Sequence, residues 1–117
     1  MTIEIGKTYK KHVLVTKDNI ASRFEAGIPD VFSTPDMIQE MESASYRLLN
    51  ELLPEELTSV GTKVNISHEK GLPLGSEVDI TAEIIEVDRK RITFSVLATS
   101  GKLIVGRGTH ERFIINK

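Results

Sequence analysis

The stretch Thr34–Leu53, TPDMIQEMESASYRLLNELL, constrains the fold of this chain more than any other. At about 100° per residue, Met37, Met41, Ala44, Ser45, Leu48, Leu49 and Leu52 fall on one stripe, and Asp36, Gln39, Glu40, Ser43, Arg47, Asn50 and Glu51 face away. This is the period of a helix laid on a core. Ser33 or Thr34 can cap its start, Pro35 suits the first turn, and Asp36 complements the positive end of the dipole. Pro54 enforces the stop, because the residue before a proline is pushed out of the helical region. Glu42 breaks the pattern. It lies about 20° from Leu49 around the axis, at the margin of the apolar stripe, where a carboxylate needs a partner.

The rest of the chain changes period. Thr8–Thr16 is β-prone, with Val13 and Val15 on one side and His12 and Leu14 on the other. Lys17–Ser33 is irregular: Asp18 can cap a short helical turn through Phe24, while Gly27 and Pro29 punctuate the remainder. A connection this long, running into the start of the main helix, suits a lid or pocket wall. After Pro54 come four alternating segments, Thr58–Lys70, Ser76–Asp88, Arg91–Thr99 and Leu103–Ile115, as a sheet with one covered face requires. The phase slips at Ile84-Ile85, which predicts a bulge. The connections at 88–91 and 100–102 are short enough for antiparallel hairpins, and 71–75 is a wider turn. One helix over one curved, five-stranded antiparallel sheet is an α+β arrangement, and its exposed edges predict a dimer.

With 117 residues, 39% hydrophobic and 27% charged, residues 1–117 are expected to form a single domain with one core. A net charge of -2 argues against nucleic acid as the main partner. The absence of cysteine removes disulfides and thiolate chemistry, and three scattered histidines predict no metal site. No apolar run reaches membrane-spanning length and MTIEIGKTYKK lacks a signal-peptide core, so the expected location is cytoplasmic, with no membrane partner.

Alternation places His68 on the apolar face of its strand with Val64 and Ile66, looking toward the helix that carries Glu42. A carboxylate and an imidazole facing one another form a general-base device, or else a structural ion pair. Thr34 either caps the helix or sits where the dipole would polarise a carbonyl oxygen; it is about 12 Å of axial rise from Glu42, so a ligand along the helix could meet both. Gly61 opens the His68 strand and would let a substrate approach the backbone. Gly106 and Gly108 share a face with His110 and Arg112, which line either a pocket or an interface. Arg89, Lys90 and Arg91 could meet phosphates, or form an ordinary solvated turn.

The segments VFSTPDMIQEME (Val31–Glu42), VGTKVNISHEKGLPLGSEV (Val60–Val78) and GRGTHERFII (Gly106–Ile115) resemble the fluoroacetyl-CoA thioesterase-like family of hotdog-fold proteins. That resemblance implies a five-stranded antiparallel sheet wrapped around one long helix, a homodimer with back-to-back sheets, and pockets at the subunit interface. It also implies hydrolysis of a small acyl-CoA thioester by Thr34, Glu42 and His68, with Phe32, Gly61 and Arg112 at the substrate. Coenzyme A enters as part of the substrate, with no separate cofactor. EAGIPDVF (Glu25–Phe32) looks shorter than the matching region of the fluoroacetyl-specific enzyme, with no clear counterpart of its aromatic gate, so the resemblance implies thioester hydrolysis and leaves the acyl group open. The alternative is a non-catalytic hotdog module that binds acyl-CoA or a related ligand.

Overall fold

The computed structural model describes residues 2–117. Five strands and one long helix follow the order β1 (Thr8–Leu14), a 3-10 turn (Ala21–Arg23), α1 (Thr34–Leu52), β2 (Leu57–His68), β3 (Glu77–Asp88), β4 (Arg91–Ser100) and β5 (Leu103–Asn116). The strands form one antiparallel sheet in the order β1-β3-β4-β5-β2. The hairpins β3–β4 and β4–β5 build its centre, and β2 reaches the far edge after the helix has crossed the inner face.

That inner face and the helix stripe make the core. Met37, Met41, Ala44, Ser45, Leu48 and Leu49 are buried, as the helical period predicts. They meet Val78, Ile80, Ala82 and Ile84 from β3 and Ile92, Phe94, Val96 and Ala98 from β4, all buried. Ser33 is the helix cap: its hydroxyl accepts from the Asp36 backbone N–H at 3.0 Å. Leu53 is extended, as the following proline demands. The slip at Ile84-Ile85 is a register shift in the β3–β4 ladder, and a second shift, between Gly61 and Lys63, was not legible in the sequence.

The connection between β1 and α1 differs from expectation. Asp18 caps no helical turn; its backbone N–H is taken by the Thr16 hydroxyl, and the 3-10 turn at Ala21–Arg23 has no side-chain cap. Local polar groups close this segment instead, with Asn19 bonding both the Thr16 N–H and the Leu14 carbonyl. Isolated bridges Ile20↔Phe32 and Val31↔Pro73 then lay it along the 71–75 turn.

The two glycines of β5 serve packing. A Cβ on Gly106 would lie 2.6 Å from the Met37 sulfur, and one on Gly108 would lie 2.0 Å from the Asn65 carbonyl oxygen. The first lets the opening turn of α1 settle onto the sheet, and the second lets β2 lie against β5.

Candidate active site

Ser33, not Thr34, caps α1, which frees the Thr34 hydroxyl. Its Oγ1 lies 2.7 Å from Nδ1 of His68 at the end of β2. In a neutral imidazole one ring nitrogen donates and the other accepts, so this contact carries the hydroxyl proton toward the ring or receives one from it. The His68 Nε2 is buried without a hydrogen-bond partner among the described residues. Burial holds the His68 pKa below its ordinary value, only partly offset by the Lys70 backbone, so the ring is a neutral base near pH 7. The Phe32 ring meets it edge-on, with centroids 6.4 Å apart. Thr34, His68 and Phe32 line an open cavity of about 250 Å³, bounded also by Val31, Lys70 and Gly71.

Glu42 is not part of this group within one protomer. Two turns of α1 carry it about 12 Å along the axis from Thr34, to a half-buried position above Gly61 on β2. The expectation that Glu42 and His68 of one chain face each other is therefore corrected. The helix runs along the sheet, and residues eight apart on it reach opposite ends of β2. Above Gly61 three groups converge. A Cβ there would lie 3.1 Å from His110 Cε1, 3.4 Å from Arg112 Nη1 and 3.5 Å from Glu42 Oε2. Glycine is what leaves this hollow open.

The register shift after Gly61 gives this geometry its sense. Gly61 pairs with Arg112, Val64 with His110, Ile66 with Gly108 and His68 with Gly106, so all eight share the inner face. Gly61 and His68 are seven positions apart, and without an extra residue at Thr62 they would face opposite sides. The bulge puts both on the helix side.

Arg112 is held firmly. It is 7% exposed, and donates from Nε to Ser59 Oγ at 2.8 Å and from Nη2 to the Ser59 carbonyl at 3.1 Å. Its guanidinium also lies 5.5 Å from the Tyr46 ring centroid. Burial lowers the Arg112 pKa and the nearby Glu42 raises it. Sequence reading named Arg112 but not Ser59 or Tyr46; their alignment with it depends on how α1 crosses the β2–β5 pair, which periodicity does not report.

The Arg89–Arg91 turn lies elsewhere. Asp88 accepts from Arg89 Nε at 3.1 Å and Arg91 Nη2 at 2.6 Å, an ion-paired hairpin end with Arg89 in the left-handed region. The cavity of about 410 Å³ beside it is lined by Phe113, whose neighbours along β5, the buried Arg112 and Ile114, face the helix side. Phe113 therefore faces the outer side of the sheet, away from Glu42 and His68.

Among the described residues, β2 is an edge strand of twelve residues bonded only to β5. Val64 faces inward yet is 42% exposed at this sheet edge. Val60, paired with Phe113 on the outer face, is also exposed. The opposite edge, β1, is short and carries Lys10, Lys11 and His12, the usual protection of a free edge. β2 is longer, and its own protection is one lysine, Lys63, beside the bulge after Gly61.

A sequence profile described as fluoroacetyl-CoA-specific thioesterase matches residues 15–117. The fluoroacetyl-CoA thioesterase of Streptantibioticus cattleyicolor is 36% identical over 91 residues, which span 78% of this chain and 66% of that protein. A solved variant of a fluoroacetyl-CoA-specific thioesterase, in complex with fluoroacetate and CoA, superposes with a TM-score of 0.91 at 29% identity, covering 97% of this chain and 96% of that one. A hot-dog-like protein from Thermanaerovibrio acidaminovorans shares the fold, with a TM-score of 0.90 at 21% identity over 97% of this chain and 84% of its own.

Proposed function

Because this chain belongs to the fluoroacetyl-CoA-specific thioesterase family, a family of thioester hydrolases with the hotdog fold, we propose that it hydrolyses a small acyl-CoA thioester at a site shared by two copies of itself. The observation that carries this reading is the separation of the Thr34–His68 pair from Glu42 along a bare strand edge. Antiparallel pairing of β2 with its copy, about a two-fold axis at Asn65, sets Gly61 of one protomer opposite His68 of the other, the bulge counted as one position. The same operation covers Val64 and brings Glu42 over one β2 toward the imidazole on the other.

At such a site Glu42 and His68 activate water for addition to the thioester carbonyl, and the proton taken up passes to the departing CoA sulfur. In the alternative order Glu42 attacks first and expels CoA, and His68 takes the proton of the water that hydrolyses the resulting acyl-Glu42 anhydride. The Thr34 hydroxyl and the free N–H groups of the first helical turn stabilise the developing oxyanion. Collapse of the tetrahedral intermediate breaks the C–S bond and releases CoA and the free acid. Phe32 and Gly61 shape the acyl end of the hollow.

Mixed dimers test the shared site. Glu42→Gln and His68→Ala homodimers are each expected to be inactive in a thiol-release assay across short acyl-CoAs. After subunit exchange, each heterodimer regains one site with both groups intact, so activity returns to about a quarter of wild type for random mixing. No recovery in verified heterodimers would place Glu42 and His68 in the wrong relation and sink the shared site. Saturable CoA-ester binding by wild type without thiol release would mark a binding module instead.

A further inference from the structure

His110 is buried, polar and unused by the hydrolysis proposed for Glu42 and His68. It is 2% exposed, on the inner face of β5, and its ring stacks on Phe94 with centroids 6.2 Å apart. Nδ1 lies 2.9 Å from the Lys63 carbonyl oxygen and Nε2 lies 3.1 Å from Arg112 Nη1. A guanidinium has only donors, so Nε2 must offer its lone pair and the ring proton must sit on Nδ1, where the Lys63 carbonyl accepts it. The ring is therefore neutral in a single tautomer. Burial among these groups favours the neutral form as well, with Arg112 acting in the same direction and Glu42 and Glu111 opposing.

This bond completes the clamp on Arg112. Ser59 takes the protons of Nε and one of Nη2, and His110 takes one of Nη1. The Nη1 atom still borders the open space above Gly61, across from Glu42 Oε2. We propose that His110 is a positioning residue: by accepting from Arg112 it fixes the guanidinium at the Gly61 hollow, so that the remaining Nη1 proton meets Glu42 or the reacting oxygen. Without that acceptor Nη1 swings away, and the hollow loses a fixed positive charge beside its carboxylate. The inference rests on Glu42 acting in thioester hydrolysis.

Two polar replacements separate positioning from packing. His110→Gln places a carbonyl oxygen near the Nε2 position and keeps the acceptor for Arg112. His110→Asn places a donor near the Nδ1 position and keeps only the bond to Lys63. We expect His110→Asn to lower kcat by about 100-fold, as a misplacement near 1 Å does, with KM little changed, and His110→Gln to recover most of the loss. Equal losses in the two, or losses that follow thermal stability, would reduce His110 to packing. Should Asn retain turnover while Gln loses it, the Lys63 bond rather than the Arg112 bond matters and the inference fails. Glu42→Gln in parallel keeps the two ideas apart: a turnover equal to wild type overturns the role of Glu42 itself. A dead Glu42→Gln beside a fully active His110→Asn overturns the role of His110 alone.

Discussion

At the scale of single residues, the site depends on polar groups placed where the apolar pattern should continue. Glu42 sits at the margin of the helix stripe and His68 on the inner face of β2, and each is only half buried. Replacing His68 with alanine removes a neutral base, and a loss of about 100-fold or more in kcat is expected in the thiol-release assay; a loss under threefold would take His68 out of the chemistry. Gly61→Ala tests the hollow directly. Its Cβ would stand 3.1 Å from the His110 ring and 3.4 Å from the guanidinium, two groups already held by hydrogen bonds. Lower turnover with little change in melting temperature is expected, because the methyl occupies reacting space rather than core. Gly108→Ala should do the reverse and destabilise the fold by about 3 kcal/mol or more, since its Cβ would collide with the Asn65 backbone; chemical denaturation measures this.

At the scale of elements, β2 carries the most consequence per residue. It holds Gly61 and His68, and its bulge turns both toward the helix. A charge on its inward but uncovered valine should oppose edge pairing. Val64→Lys is expected to be a folded monomer by sedimentation, with little turnover despite intact Glu42 and His68; an active monomer would contradict the shared site. The helix start is a second lever. Ser33 accepts the Asp36 N–H and also donates to its carboxylate, so Ser33→Ala should cost about 1 kcal/mol and loosen the turn that aims Thr34 at His68. The lid segment is tied to that same turn by the Arg23–Asp36 ion pair at 2.7 Å.

At the scale of the whole molecule, the three histidines pull stability in opposite directions with pH. His68 and His110 have pKa values lowered by burial, so the folded state binds fewer protons than the unfolded one. Their contribution is complete above the ordinary histidine pKa and is lost as pH falls from there through the lowered folded values. His12, on the outer side of β1, is bonded to Asp79 and Glu77, both at 2.9 Å, which raise its pKa, Asp79 more. Its contribution is complete below the ordinary value and fades as pH rises through the raised one, but solvent screens it. Melting temperature should therefore fall clearly on the acid side, and His12→Gln should alter only the shallow alkaline part; an unchanged acid limb in His110→Gln would contradict this account. Most of the fold was legible beforehand. Local periodicity and turn chemistry determined the helix face, the four later strands, the bulge at Ile84 and the inward aspect of His68, because these follow from residues within a turn or a strand of one another. Three things were not legible: that Ser33 caps so that Thr34 is free, that β2 ends at the sheet edge, and that Glu42 stands over Gly61 and Arg112 instead of its own His68. Each depends on which distant segment packs on which, and tertiary packing alone decides that, since the same alternating strands could be ordered several ways without changing a single local preference.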